Sequence, residues 1–182
     1  MAFKKITQVQ QASFVSGLRA GQYNLLLGAD SSMDSENRLG RLPSGTAFKD
    51  ELCALKKVSV NYPLQRVYSL LKPDEVDKHV TPRFSGARPG PTAKLISSFV
   101  WKRIFTWNID DVLEEAYKDR SARQKLVPLH FSDDFAEAET LAELLLVHLH
   151  GSVGSPEKGY VFSRNEYMSN TDISCCCSLA RN

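Results

Sequence analysis

The hydrophobic positions of this chain follow two different spacings, and each spacing predicts a different kind of element. Helical spacing predicts a helix over residues 6–21, a second helix over residues 44–58, and mostly helical structure between about residues 59 and 101. Within the last stretch, proline and glycine crowd together over residues 81–92, which predicts a surface loop. The stretch is therefore interpreted as a helical insertion.

Short continuous apolar runs predict buried strands. The runs are "YNLLLGAD", "RIFTW" and "LLLVHLHG", with "KLVPLHF" and "GYVFS" as further candidates. Ser163 and Glu166 then stand in the spacing of a capping box. Strands without alternation, separated by helices, are typical of a parallel sheet that is covered on both faces. The predicted fold class is α/β.

Polar residues follow three of these strands at their carboxyl ends. "GADSS" follows the first strand, "TWNIDD" follows "RIF", and "HGS" follows the strand that ends at Leu149. In open parallel sheets, ligands bind at the carboxyl ends of the strands. We therefore expect the three clusters to converge on one crevice.

Each cluster has a structural interpretation beside the functional one. "GADSS" fits either a phosphate-facing turn or an ordinary strand-exit turn. "TWNIDD" fits a helix cap, although a cap needs only one Asn or Asp. His148 and His150 have a spacing compatible with metal ligation, but no further ligands cluster beside them, so no metal is predicted. The turn at Gly151 is expected to place His150 in the crevice and His148 deeper along the strand.

Composition and charge exclude several function classes. The 182 residues are 42% hydrophobic and 24% charged, as expected for one globular domain. A net charge of +2 does not argue for nucleic acid. No apolar run approaches the length of a membrane span, and the start lacks the apolar core of a signal peptide, so a cytoplasmic location is expected. Cys53 stands alone and Cys175, Cys176 and Cys177 are contiguous, which leaves no paired CxxC motifs for zinc.

The order of the motifs resembles that of SIR2-like domains, in particular the zinc-less NADase domains of prokaryotic antiviral defence. The motifs lie between Asn24 and about Met168: "NLLLGADSSMDS", "LPSGTAFKDEL", "WKRIFTWNIDDVLEEAY", "VHLHGSV" and "YVFSRNEY". The resemblance implies a Rossmann-like parallel sheet with helices on both faces, NAD as the substrate and no metal. It implies cleavage of the nicotinamide–ribose bond in an anti-phage effector, with a homo-oligomer or a defence-system protein as partner. Sirtuins proper add paired cysteines and a substrate-peptide segment, neither of which is visible, so protein deacylation is an alternative.

The same resemblance implies the residues of the site. The catalytic residues are Asn108, which would orient water or the carboxamide, and His150, which would act as a base or contact a ribose hydroxyl. Trp101 matches an aromatic residue of the family and is interpreted as core. The implied cofactor-binding residues are Gly28, Ala29, Asp30, Ser32, Pro43, Thr106 and Asp110.

Two departures from the family pattern leave a further alternative open. Asp30 occupies the place of a glycine, where a carboxylate facing the pyrophosphate at about 4 Å would cost on the order of a few kcal/mol. After Met168 the chain ends "SNTDISCCCSLARN", without the expected helix and strand. The prediction is a domain over residues 1–170 and an atypical, disordered tail over residues 171–182. The domain is then either an NADase or a nucleotide-binding or interaction remnant without turnover.

Overall fold

The computed structural model describes residues 7–134 and 140–162, and its centre is a parallel sheet of four strands. The strands of this part of the chain are β1 (Asn24–Leu27), β2 (Glu36–Asn37), β3 (Gly40–Arg41), β4 (Arg103–Thr106), β5 (Lys125–His130) and β6 (Glu143–His148). The order in the main sheet is β1-β4-β6-β5, with every neighbouring pair parallel, and β2 and β3 form a separate antiparallel hairpin. The predicted Rossmann-like α/β fold is confirmed.

Short helices connect the strands and account for the predicted insertion. They are α1 (Gln8–Arg19), α2 (Gly45–Lys56), α3 (Leu64–Tyr68), α4 (Pro73–Glu75), α5 (Thr81–Phe84), α6 (Pro91–Ser97) and α7 (Val112–Ala116), with a π-helical turn at Val76–Val80 and 3₁₀ turns at Ala29–Ser32 and Pro156–Lys158. No helix within the described residues is both long enough and apolar enough to cross a membrane.

The burial of each strand follows its place in the sheet. On the central strand β6, Leu144, Leu146 and Val147 are fully buried, as a continuous apolar run predicts. On β1, at the edge of the sheet, Leu26 remains 62% exposed. An apolar run thus predicted both strands, but only the position in the sheet decides how completely the run is covered.

The helical insertion builds a second core against the carboxyl end of the sheet. Phe48 and Leu52 of α2 pack with Val67, Val80 and Phe84 of the insertion. The predicted loop over residues 81–92 is therefore wrong at its start, where α5 forms. The side chain of Phe84 is only 9% exposed and meets the ring of Phe48 edge-on, and Pro82 stands in the first turn of α5, where a proline is compatible with a helix.

Two other predictions differ from the structure. Thr7 and Gln10 form a capping box at the start of α1, but the predicted apolar face of this helix is not buried, since Val9 is 79% exposed and Phe14 is 52% exposed. The "GYVFS" strand is wrong for residues 160–162, which have no strand structure. The predicted capping box of Ser163 and Glu166, the cysteines 175–177 and the tail 171–182 lie outside the described residues.

Candidate functional site

A cavity with a volume of about 680 Å³ opens at the carboxyl ends of β1, β4 and β6. This volume lies within the range of roughly 300–1,000 Å³ that is usual for small-molecule sites. We define its polar wall as Ser32, Asn108, Asp110 and His150, and its apolar wall as Pro43, Phe48, Leu64, Phe84, Ile109 and Phe162. The polar residues that follow three separate strands therefore converge, as predicted.

The turn after β4 carries two residues of the polar wall. Its backbone is held by hydrogen bonds from the Asn108 N–H to the Thr106 hydroxyl at 3.0 Å and from the Val153 N–H to the Ile109 carbonyl at 2.8 Å. Asp111, the next residue, accepts from the backbone N–H groups of residues 86 and 87 and so anchors the insertion loop beside the site. The two adjacent aspartates therefore have different tasks, one in the cavity and one in the scaffold.

Hydrogen bonds join the turn after β1 to the turn after β4. The side-chain N–H₂ of Asn108 donates to the Ser32 hydroxyl at 2.9 Å and to the Ser31 hydroxyl at 3.2 Å. The Ser32 hydroxyl donates in turn to Asp110 Oδ1 at 3.1 Å. Because the amide nitrogen of Asn108 is engaged by the two serines, its amide oxygen is the group left to receive a hydrogen bond from a ligand or a water.

Asp110 is the carboxyl group of the polar wall, and burial changes its acidity. Its side chain lines the cavity, yet the residue is only 7% exposed. Burial raises the pKa of Asp110 to about 6, against the opposing effect of the hydrogen bonds from Ser32 and from the Val112 N–H. Asp110 is therefore ionised above neutral pH and gains a proton in mildly acidic solution.

His150 enters the cavity from the turn that follows β6. Its ring lies 4.9 Å from the ring of Trp107 and 5.6 Å from the ring of Phe162, between centroids. The chain reverses at Gly151, which has φ +84°, and a Cβ there would lie 2.3 Å from the Gly159 carbonyl oxygen. Only glycine fits this reversal. The prediction that His150 reaches the crevice while His148 stays buried is confirmed.

His148 has a partner that the sequence analysis did not identify. Its Nε2 lies 2.9 Å from Glu114 Oε1, and its Nδ1 lies 2.9 Å from the Asn108 carbonyl oxygen. Glu114 lies on α7, so the pair connects this helix to the end of β6 and to the turn of the site. The sequence indicated this contact only by placing a glutamate within one helical turn of "NIDD". The described residues contain no cluster of three or more potential metal ligands.

Three of the predicted cofactor-binding residues do not line the cavity. Gly28 has an extended backbone, and a Cβ added to it would meet no atom within 4 Å. Asp30 is exposed, beside the cavity rather than in it. Thr106 is 1% exposed, and its hydroxyl accepts a hydrogen bond from the backbone N–H of Asn108. The cofactor-binding roles of these three residues therefore stay predictions, whereas Ala29, Ser32, Pro43 and Asp110 line the cavity directly.

Sheet and cavity together define a Rossmann-like α/β domain with a ligand site at the carboxyl edge of its sheet. The family model for the SIR2-like domain matches residues 102–179, in agreement with the resemblance of the motifs in that part of the chain. The matched segment contains Asn108, Asp110 and His150. A search of curated proteins returned no match. The family match implies a function related to NAD.

Proposed function

We propose that this domain binds NAD⁺ in the cavity and hydrolyses the bond between nicotinamide and ribose. The observation that carries the proposal is the convergence of Asn108, Asp110 and His150 on one cavity, opposite a wall of apolar side chains. Hydroxyl, amide, carboxyl and imidazole groups match the ribose hydroxyls and the carboxamide of NAD⁺. The apolar wall suits the flat nicotinamide ring.

The reaction needs charge stabilisation and a positioned water more than a strong acid. When the C1′–N bond breaks, its electron pair leaves with nicotinamide and positive charge develops on the ribose, as in glycoside cleavage. Asp110, ionised above its pKa of about 6, contributes a negative charge beside this centre. Water then adds to C1′ and gives up a proton, for which His150 is the base within the cavity. Asn108 orients the water or the carboxamide through its amide oxygen.

The proposal is tested by the release of nicotinamide from NAD⁺ and of the fluorescent product from an etheno-NAD⁺ analogue. The wild-type protein should be active, and His150→Ala should lose activity. His79→Ala is the matched control, since His79 lies in the π-helical turn and does not line the cavity. Calorimetric binding of NAD⁺ without any release of nicotinamide would contradict hydrolysis and support the nucleotide-binding remnant. NAD⁺-dependent removal of an acyl group from an acyl-lysine peptide would support a sirtuin-type deacylase.

We extend the proposal to anti-phage defence, on the strength of the motif resemblance and the SIR2-like match. An effector of this kind acts by removing NAD⁺ from the infected cell. Bacteria that express the wild-type chain should lose NAD⁺ after phage challenge, and bacteria that express His150→Ala should not. Stable NAD⁺ in both cultures, across several unrelated phages, would argue against a defence role while leaving the hydrolysis assay to decide the chemistry.

A further inference from the structure

His148 is a buried histidine that the proposed reaction does not use. It is 1% exposed at the end of β6, and its two ring nitrogens face two oxygens, Asn108 O and Glu114 Oε1, each at 2.9 Å. A backbone carbonyl only accepts hydrogen bonds, and so does an ionised carboxylate. When Glu114 is ionised, a ring that satisfies both oxygens carries a proton on each nitrogen. The geometry therefore points to an imidazolium ion.

The charged and titratable groups around the ring favour this state. Glu114 on α7 and Asp110 in the turn after β4 are the acidic neighbours, and His130 stands beside His148 in the register of β5 and β6. Burial alone would lower the pKa of His148, but the hydrogen bond and the charge of Glu114 outweigh it and raise this pKa above its usual value. Burial lowers the pKa of His130, so the neighbouring ring is neutral near neutral pH.

Glu114 depends on His148 in return. Its Oε2 is buried and accepts no hydrogen bond from the described residues, so the bond between Oε1 and the His148 ring carries the compensation for burying this carboxylate. In a buried pair of this kind, neutralising one partner leaves the other charge without compensation. The charge on His148 therefore compensates the buried carboxylate of Glu114.

We propose that His148, held as an imidazolium by Glu114, is a positioning residue that fixes the backbone of Asn108 and thereby its side chain in the cavity. The Asn108 turn has further anchors in the Thr106 hydroxyl and the Val153 N–H, and neither of these groups titrates near neutral pH. The bond from His148 is the anchor that pH can remove. The consequence for catalysis rests on the proposed function, but the protonation state and the backbone anchor do not.

Loss of one proton from His148 breaks the arrangement in either tautomer. If Nε2 loses the proton, its lone pair faces the Glu114 carboxylate at 2.9 Å; if Nδ1 loses it, the Asn108 carbonyl has no donor. A group whose pKa is raised in the folded state contributes at low pH, and its contribution disappears as the pH rises through that value. We therefore expect kcat for nicotinamide release to fall on the alkaline side through the pKa of His148.

The test is a pair of identical substitutions at adjacent positions of α7. In Glu114→Gln the new amide can donate to Nε2, so a neutral ring keeps its Nδ1–H for Asn108. The alkaline fall in kcat should disappear, while kcat near neutral pH stays within about threefold of wild type. Glu115→Gln removes a carboxylate that pairs with Lys118 instead, and it should keep the wild-type pH profile. An unchanged alkaline fall in Glu114→Gln would overturn the proposal.

An NMR titration supplies a readout that does not depend on activity. The ring ¹⁵N shifts of His148 should show two protonated nitrogens at neutral pH in the wild-type protein and a neutral ring in Glu114→Gln. The ¹³C shift of the Asn108 carbonyl should titrate together with the wild-type ring. Two results would contradict the proposal: a neutral His148 ring in the wild-type protein at neutral pH, or a ¹³C shift of the Asn108 carbonyl that does not change as the ring titrates. If the NMR results hold but no nicotinamide is ever released, the proposed function fails and the positioning role stands.

Discussion

The two walls of the cavity are built by different parts of the chain and held by different forces. The polar wall comes from the turns after β1, β4 and β6, and its side chains are joined by hydrogen bonds such as Asn108 to Ser32 to Asp110. The apolar wall draws Phe48 from α2 and Phe84 from the insertion, and both belong to a packed core cluster. One wall is specified by individual atoms, the other by volume and shape.

This difference separates the expected effects of mutation. Most changes in the polar wall should lower turnover with little effect on folding, since each of its bonds contributes only about 1 kcal/mol of stability. Asp110 is the exception, because its charge is buried. Changes in the apolar wall should mainly lower the stability of the fold, because the side chains that face the cavity also belong to the hydrophobic core of the protein. Four variants test the distinction.

Phe84→Ala should have the largest effect. The ring is buried against Phe48, and replacing a buried Phe by Ala costs about 3–5 kcal/mol of unfolding free energy. Chemical denaturation measures the loss directly. Phe14→Ala is the control, because that ring is 52% exposed on α1, and it should change stability much less. Similar losses in both variants would mean that the apolar wall is not a core.

Asn108→Ala should lower kcat for nicotinamide release by about a hundredfold, close to 3 kcal/mol of transition-state stabilisation, with little change in NAD⁺ affinity. An orienting contact matters most in the transition state, which is why kcat and KM should respond differently. Steady-state kinetics with calorimetric binding measure the split. A rise in KM at unchanged kcat would assign Asn108 to ground-state binding, and it would contradict a role of this residue in the transition state.

Asp110→Asn should stabilise the fold while it slows the reaction. Because burial raises the pKa of Asp110 from 3.8 to about 6, the folded state binds more protons than the unfolded state between these values, and stability falls as pH rises through them. The hydrogen bonds from Ser32 and from the Val112 N–H both end on Oδ1, which an amide retains. The variant should gain about 2 kcal/mol above neutral pH and nothing near pH 4, and should lose about tenfold in kcat.

Denaturation at the two pH values checks the Asp110→Asn prediction. Asp119→Asn provides the comparison, since hydrogen bonds from Ser121 lower the pKa of that exposed carboxyl, so neutralising it should give no gain. A stability gain of Asp110→Asn that is equal at both pH values would show that desolvation of the charge is not the cause.

Asp30→Gly should have the smallest effect. The sequence suggested that its carboxylate obstructs the pyrophosphate, but the residue is exposed and does not line the cavity. Affinity for NAD⁺, measured by calorimetry, should stay within about twofold of wild type, which corresponds to less than 0.5 kcal/mol. A clear tightening would instead place the carboxylate against bound pyrophosphate and extend the polar wall to this position.

Much of the fold was predictable because buried parallel strands leave a strong mark on a sequence. The runs "NLLL", "RIFT" and "ELLLVH" correspond to β1, β4 and β6, and the polar residues after them converge as expected. The errors share one cause, which is that periodicity does not reveal what an element packs against. It predicted a buried face on α1 that is exposed at Phe14, a loop where Phe84 is ordered by the second core, and a strand where Tyr160 and Val161 have none.

The sequence by itself determined which residues stand at the ends of the strands, and with them Asn108, Asp110 and His150, because chain order and strand direction are local properties. Only the tertiary structure decided that the Thr106 hydroxyl holds the backbone of Asn108 and that Phe84 joins the apolar wall of the cavity. It also joined His148 to Glu114, 34 positions away along the chain. Neither residue carries a motif for that contact, since the charge of a buried imidazole depends on the neighbours that folding brings within hydrogen-bond distance.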